Sequence, residues 1–236
     1  MKKLKFAILA ALLTFSTASV FAHALWIETA ATGKVGQKQT VKVFYGEYAD
    51  LGRDSVSTWY SDVKEFTLWL VGPDQKKTQL TVTPGVNYFE SSFTPQQNGA
   101  YTITVSHEAK DLGGTTKYHF LSSATVSVGG VAPVASQNSN ALNLHLADVS
   151  SLKVKKPVKM TAYLNGAAAT KKTVTVFSPY GWSKEFYTDA NGSFEFTPIW
   201  PGRYVVEVSD MDKTPGEHHG KEYNATWKGA TYSLVL

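Results

Sequence analysis

The sequence contains 236 residues, of which 43% are hydrophobic and 18% are charged, as in a folded globular protein. The formal net charge is +4, but without Lys2, Lys3 and Lys5 there are 20 Lys and Arg against 19 Asp and Glu, which leaves +1. No polybasic run remains, so nucleic acid and an anionic membrane are not expected partners. The absence of cysteine excludes disulfides, thiolate metal sites and thiol catalysis.

Residues 1–22 have the pattern of a signal peptide, with lysines followed by an apolar stretch from Phe6 to Phe15 and then small residues. This stretch is shorter than the roughly 20 residues that span a bilayer. We therefore expect a mature protein that is exported to the periplasm and does not span the membrane.

Two cleavage sites compete at the end of this leader. Val20 and Ala22 favour cleavage after Ala22, which would make His23 the first mature residue. The A-x-A sequence from Ala22 to Ala24 would instead place the cut after Ala24 and remove the histidine. Because histidine is unusual inside a cleavage box, we favour the cut after Ala22.

Apolar and polar residues then alternate along short runs rich in Val, Thr, Tyr and Phe, and Gly, Pro and Asn interrupt these runs. This period of two predicts half-buried antiparallel strands, and no run predicts a helix. The expected fold class is all-β. The runs include Val41–Tyr45, Phe66–Leu70, Tyr101–Val105, Leu142–Leu146, Val158–Ala162 and Tyr204–Val208.

Residues 129–140, GGVAPVASQNSN, lack this alternation and are typical of an interdomain linker. The prediction is two antiparallel β-sandwich domains, at 23–128 and 141–236. A single large sandwich is the alternative.

The second half contains two strong turn signals, Asn191-Gly192 and Pro201-Gly202, which flank short apolar strands. The first dipeptide predicts a β-hairpin and the second a turn into the strand Arg203–Val208. This stretch, from Thr188 to Val208, resembles the transthyretin-like or carboxypeptidase-regulatory type of sandwich. It predicts a fold and indicates no chemistry.

Motifs of common enzyme classes are missing from the sequence. There is no GxSxG, P-loop, HExxH or GxGxxG after a strand, and the carboxylates form no obvious pair. We therefore expect no enzymatic activity.

His23 has the most distinctive chemistry among the six histidines. At a mature amino terminus, its α-amine and imidazole Nδ1 would close a chelate ring on one divalent metal ion. Borderline divalent ions prefer such nitrogen donors. The alternative is an exposed residue at a frayed chain end.

Four other histidines are candidate ligands. His107 ends one predicted strand and His119 lies on the returning strand, so the two imidazoles could be neighbours without sharing a face. His218 and His219 lie in a polar loop with several carboxylates, which suits acquisition or delivery of nickel or cobalt. Ordinary surface roles are the alternative for all four.

Six tryptophans suggest a competing use, because exposed aromatic rings can stack on sugars. The candidates for such a platform are Trp59, Tyr60, Trp182, Trp200 and Trp227, although buried aromatics are commoner in sandwiches.

Taken in order, the segments AHALWIE, GQKQTVKVFYGEYAD, DANGSFEFTPIWPGRYVVEV and GKEYNATWKGATYSLVL resemble the periplasmic component associated with cobalt/nickel ABC-type transport systems, a broad domain-of-unknown-function family. The resemblance implies binding of nickel or cobalt and assistance to a membrane importer. Members of that family begin the mature protein with a histidine followed by an aromatic residue, and these two positions correspond to His23 and Trp26. Where many members carry Gly-His, this chain has Gly46-Glu47, which implies a site of mixed nitrogen and oxygen ligands.

The leading hypothesis is a periplasmic binder of nickel or cobalt with His23 as first ligand and partners among Glu47, His107, His119, His218 and His219. One alternative is a non-catalytic module that binds polysaccharide or an envelope protein. Another is a copper protein, because copper-resistance C proteins resemble this chain in their terminal histidine, and copper outcompetes nickel at such a chelate. A copper-dependent polysaccharide oxygenase is the least favoured, because no second histidine has brace spacing.

Overall fold

A computed structural model describes residues 23–149 and 152–236. The predicted leader, residues 1–22, lies outside the described residues. The described chain is all-β, with packed antiparallel sheets and only short 3-10 turns, so the predicted fold class is confirmed. No helix in these two ranges is long and apolar enough to cross a membrane.

The strands of the first half range from two to 13 residues in length. They are β1 Ala24–Glu28, β2 Thr32–Gly33, β3 Gln39–Gly46, β4 Leu68–Val71, β5 Lys77–Leu80, β6 Thr83–Pro84, β7 Phe89–Phe93, β8 Gly99–Glu108 and β9 Thr116–Val128. Three 3-10 turns, Tyr48–Asp50, Val56–Thr58 and Val63–Glu65, lie between β3 and β4.

The second half begins after a fourth 3-10 turn, Ala135–Gln137. Its strands are β10 Leu142–His145, β11 Val158–Leu164, β12 Ala167–Ala168, β13 Thr173–Phe177, β14 Ser183–Tyr187, β15 Ser193–Phe196, β16 Arg203–Asp212, β17 Gly216–His218, β18 Lys221–Tyr223 and β19 Ala225–Val235.

One large sheet runs through both halves in the order β14-β13-β16-β19-β9-β8-β4-β5. The halves join where the last strand, β19, pairs parallel to β9, from Ala225 opposite Thr116 to Tyr232 opposite Ser123. This parallel pair departs from the antiparallel pattern that we predicted. It makes the two sandwiches share a continuous sheet.

The long strand β9 contributes to two cores because its successive side chains point to opposite faces. Phe120, Ala124 and Val126 belong to the first core, whereas Leu121 belongs to the second. The smaller sheet β1-β3-β7-β6 covers the first core, and the sheet of β10, β11, β12 and β15 covers the second.

Residues 129–140 make specific buried contacts with the first half. The amide of Gln137 donates to the carbonyls of Gly72 and Ala100, at 3.1 and 2.8 Å. The amide of Asn140 donates to the carbonyl of Val105 at 2.9 Å. These bonds attach the connecting segment to the shared sheet.

Strand β1 lies over the junction of β9 and β19 and is buried on both faces. The hydroxyl of Thr231 donates to the carbonyl of Leu25 at 2.7 Å and lies 2.8 Å from the hydroxyl of Ser122. The hydroxyl of Ser233 donates to the carbonyl of Ile27. Since β1 is the edge strand of the smaller sheet and is buried, the hydroxyls satisfy carbonyls that have neither a strand partner nor access to water.

Substitution of Thr231 by valine should test this anchor. Thr231→Val keeps the shape but leaves the Leu25 carbonyl without its hydroxyl donor, so we expect a loss of about 1–3 kcal/mol in the free energy of unfolding. Urea denaturation measures the change. Thr78→Val, on the exposed edge strand β5, is the matched control and should change stability by less than about 0.5 kcal/mol. Equal stability of the two variants would contradict the anchoring role.

Candidate functional site

His23 and Glu47 lie at the same end of one strand pair. Strand β1 runs antiparallel to β3 with Ala24 opposite Gly46. His23 precedes β1 and Glu47 follows β3, so the pairing register alone brings the two residues together. Their role as metal ligands stays a prediction.

The segment after β3 folds back over this end and adds Asp54. The Asp54 N–H donates to the carbonyl of Tyr45 at 2.9 Å, and the Gly52 N–H donates to the carbonyl of Glu47 at 2.8 Å. Gly46 allows this close return: its φ is +149°, and a Cβ there would lie 2.8 Å from the Gly52 carbonyl oxygen. A larger residue at 46 would push the loop away.

Asp54 contacts the imidazole of His23 directly. The distance from His23 Nε2 to Asp54 Oδ2 is 3.2 Å. The same imidazole packs on the ring of Tyr45, with 5.4 Å between centroids. The other ring nitrogen, Nδ1, is the one that a terminal chelate would use, and its lone pair is available when Nε2 carries the proton.

The pKa of Glu47 reflects the crowding of charges here. Burial raises it above its ordinary value, nearby Asp50 and Asp54 add to this effect, and His23 opposes it. A carboxylate in such surroundings is stabilised by an added cation.

An adjacent ion-pair network fixes the base of the loop. Arg53 Nη2 lies 2.9 Å from Glu28 Oε1, and Arg203 Nε lies 3.3 Å from Glu28 Oε2. Arg203 also donates to the carbonyl of Thr29 at 3.1 Å, and burial lowers its pKa. The network ties Arg53, the neighbour of Asp54, to strands β1 and β16.

His107 and His119 lie on the adjacent strands β8 and β9, as predicted, but on opposite faces of the sheet. His107 is directly opposite Phe120, and His119 is opposite Glu108. Residues directly opposite each other share a face. The one-residue offset between these two pairs therefore separates the two imidazoles.

His107 pairs with a carboxylate from the 3-10 segment. Its Nε2 lies 3.0 Å from Asp62 Oδ1, which also accepts the Lys110 N–H at 2.8 Å. Burial acts to raise the pKa of Asp62, but the hydrogen bonds from Lys110 and His107 outweigh it and hold that pKa below its usual value.

His119 is buried between polar partners. Its Nε2 lies 2.8 Å from the hydroxyl of Ser106, and its Nδ1 lies 3.7 Å from Glu108 Oε1. Burial lowers the pKa of His119 to about 4, although Glu108 acts in the opposite direction. The imidazole is therefore neutral at physiological pH.

His218 and His219 lie at the turn between β17 and β18. The Nε2 of His218 lies 2.9 Å from the carbonyl oxygen of Ala109, and the two imidazole centroids are 4.4 Å apart. His219 has a φ of +49°, as a tight turn requires. The segment that we interpreted as a polar loop is thus a short hairpin that contacts the residue after β8.

Within residues 23–149 and 152–236, no three His, Asp or Glu side chains form a group that could hold a metal ion. The structure places His23 with Glu47 at one end of the β1–β3 pair, and gives His107, His119 and His218 partners of their own. Sequence reasoning missed Asp54, which is 31 positions from His23. The sequence signal for this contact was the short segment between Gly46 and Gly52, because two nearby glycines favour a tight turn that brings the chain back toward β3.

The family model of DUF4198, Domain of unknown function, matches residues 20–212 of this chain. The chain therefore belongs to the DUF4198 family. The match ends before His218 and His219. Membership agrees with the expected domain-of-unknown-function family and carries no assigned activity.

No curated protein matches the sequence. Similar solved structures include the Escherichia coli alpha-2-macroglobulin activated by porcine elastase, a Ca2+-stabilized adhesin of an Antarctic bacterium that binds ice, and a two-domain fibronectin type III segment of chicken tenascin. Their identities are 14%, 14% and 12%, and their TM-scores are 0.28, 0.25 and 0.25. The matches cover 91%, 91% and 89% of this chain, and 20%, 49% and 97% of the others.

The neutral, buried His119 should make stability depend on pH. Its folded pKa of about 4 lies below the ordinary value of 6.5, so the unfolded chain binds more protons between these values. The contribution of His119 to stability should therefore be nearly complete above pH 6.5 and should fall by about 3 kcal/mol as the pH drops to 4. In His119→Gln, urea denaturation across this range should show a shallower decline. An unchanged slope would contradict a buried neutral histidine.

Proposed function

We propose that this DUF4198 protein is a non-enzymatic periplasmic binder of nickel or cobalt that assists uptake of the metal by a membrane importer. His23, exposed at the mature amino terminus by cleavage after Ala22, is the first ligand. The observation that carries the proposal is the contact of 3.2 Å between His23 Nε2 and Asp54 Oδ2.

This contact supports a metal role because it suits one tautomer of the imidazole. A histidine that binds a metal through one ring nitrogen usually donates the other N–H to a carboxylate, which orients the ring. With Nε2–H directed to Asp54, Nδ1 and the α-amine are left to close a chelate ring. Asp54 is therefore a positioning residue in this proposal.

Glu47 supplies an oxygen ligand. It lies at the same strand end as His23, and burial, together with the carboxylates of Asp50 and Asp54, raises its pKa. One imidazole nitrogen, one amine and one carboxylate make a mixed set that suits nickel and cobalt. His107, His119 and His218 are left out of this ligand set; their ring nitrogens contact Asp62, Ser106 and the Ala109 carbonyl oxygen.

Copper is the competing cargo. Affinity at nitrogen donors rises from cobalt through nickel to copper, so a terminal chelate binds Cu(II) most tightly in a direct comparison. Selection of nickel or cobalt would then depend on which metal the periplasm supplies and which one the importer accepts.

The terminal chelate can be tested with one added residue. Protein that begins at His23 should bind Ni(II) or Co(II), and a version with an extra alanine before His23 should bind at least tenfold more weakly, because its α-amine is displaced. Isothermal titration calorimetry measures both affinities. Affinity should also fall as the pH is lowered below about 8, since the amine must lose its proton. Equal affinity of the two versions for the metal would contradict a chelate formed by the terminal amine.

The role of Asp54 can be tested against a matched aspartate–histidine pair elsewhere. Asp54→Asn should lower the affinity for Ni(II) about 10- to 100-fold, as loss of a partner that orients a ligand does. Asp62→Asn, which alters the contact with His107, should leave it unchanged. A loss in Asp62→Asn alone would contradict the proposal and would instead assign the metal to His107, which Asp62 contacts.

A further inference from the structure

The second sandwich is open along one edge. Strand β14 ends the large sheet there, and β15 ends the opposing small sheet. Between them lies a groove of about 370 Å³, within the size range of small-molecule sites, roughly 300–1,000 Å³. Its lining includes Trp182, Lys184, Phe186, Glu195, Ile199 and Trp200.

One wall of the groove is a turn held rigidly by a buried serine. The hydroxyl oxygen of Ser178, which is 0% exposed, accepts the N–H groups of Tyr180 and Trp182 at 3.3 and 3.1 Å. The Ser178 N–H donates to the carbonyl of Trp182 at 2.8 Å. These bonds fix the backbone of the turn, whose two aromatic rings contact Trp200 while Tyr180 is 65% and Trp182 47% exposed.

The opposite wall is fixed independently. The buried hydroxyl of Tyr204 lies 3.1 Å from both the N–H and the carbonyl oxygen of Trp200. The Trp200 ring is nearly perpendicular to Tyr180 and Trp182, with interplanar angles of 71° and 72°. Three rings thus form a corner of defined shape.

The charges at the groove are of both signs. Lys184 lies opposite Val176 of the second core, so it is on the inner face of the edge strand, with its ammonium 5.2 Å from the Phe186 ring centroid. Glu195 lines the groove from β15. An inward lysine on an edge strand disfavours the addition of another strand.

We propose that this groove binds a neutral oligosaccharide. Pyranose rings have apolar C–H faces that pack on indole and phenol rings, and hydroxyl groups that both donate and accept hydrogen bonds. Fixed aromatic rings match the faces, and a cation with a carboxylate matches the hydroxyls without favouring a charged ligand. This site is independent of the metal proposal.

Only part of the aromatic set suggested by the sequence belongs to the groove. Trp59 is 4% exposed in the first core, where Tyr60 and Trp227 also pack. Trp182 and Trp200 lie at the groove. The three aromatic side chains that are largely exposed in the described ranges, Tyr180, Trp182 and Tyr187, all lie on or beside β14.

The test is a titration of the mature protein with cellohexaose, maltohexaose, laminarihexaose and mannohexaose in EDTA, followed by tryptophan fluorescence and calorimetry. At least one hexasaccharide should bind. Trp182→Ala should weaken that binding at least tenfold, and Lys184→Gln should weaken it several-fold.

Trp69→Ala is the matched control, because this half-buried tryptophan of β4 is far in sequence from the groove and contacts Lys77 instead. The affinity of Trp69→Ala for the bound hexasaccharide should equal that of the unaltered protein. Failure of all four sugars to bind would overturn the proposal, as would equal affinity of Trp182→Ala. Because EDTA is present, the metal proposal is unaffected by either result.

Discussion

The parallel pairing of β19 with β9 is the constraint on which the rest of the structure depends. It makes the last strand of the chain the centre of a sheet that extends from β14 to β5, so each sandwich core forms against the same sheet. Parallel neighbours require a long connection, and here the whole second half of the chain is that connection. The two cores therefore lie against opposite faces of one sheet, and β9 supplies residues to both.

The position of the metal candidate follows from this junction. Strand β1 lies on β9 and β19, where Thr231 and Ser233 bond its carbonyls, and this fixes the strand that begins immediately after His23. The register with β3 then sets Glu47 beside it, and the loop allowed by Gly46 supplies Asp54. The carboxylate contact to His23 thus depends on residues more than 200 positions away in the chain.

The aromatic groove has a different origin, because it depends on where the second sandwich ends. Strands β14 and β15 belong to opposing sheets, and each has one unpaired edge among the described residues. The turn at Ser178 and the Tyr204 hydroxyl hold the backbone at Trp182 and Trp200, whose rings meet edge to face at this end of the sandwich. The two proposed sites consequently rest on separate structural features.

The sequence by itself determined the all-β class and the tight turn at Asn191-Gly192, because alternation and turn chemistry are local properties. The predicted hairpin at this turn is wrong, because the strands on either side of it, β14 and β15, pair with β13 and β11 in opposing sheets. The sequence named His23 and Glu47 as candidate metal ligands through a family resemblance, and their ligand role stays a prediction. Only the tertiary structure decided that Asp54 contacts His23, that His107 and His119 lie on opposite faces, and that Trp59 is buried while Trp182 is exposed. These outcomes depend on strand register and on which strands end each sheet. Register and sheet order are set by contacts between distant residues, which a local pattern does not contain.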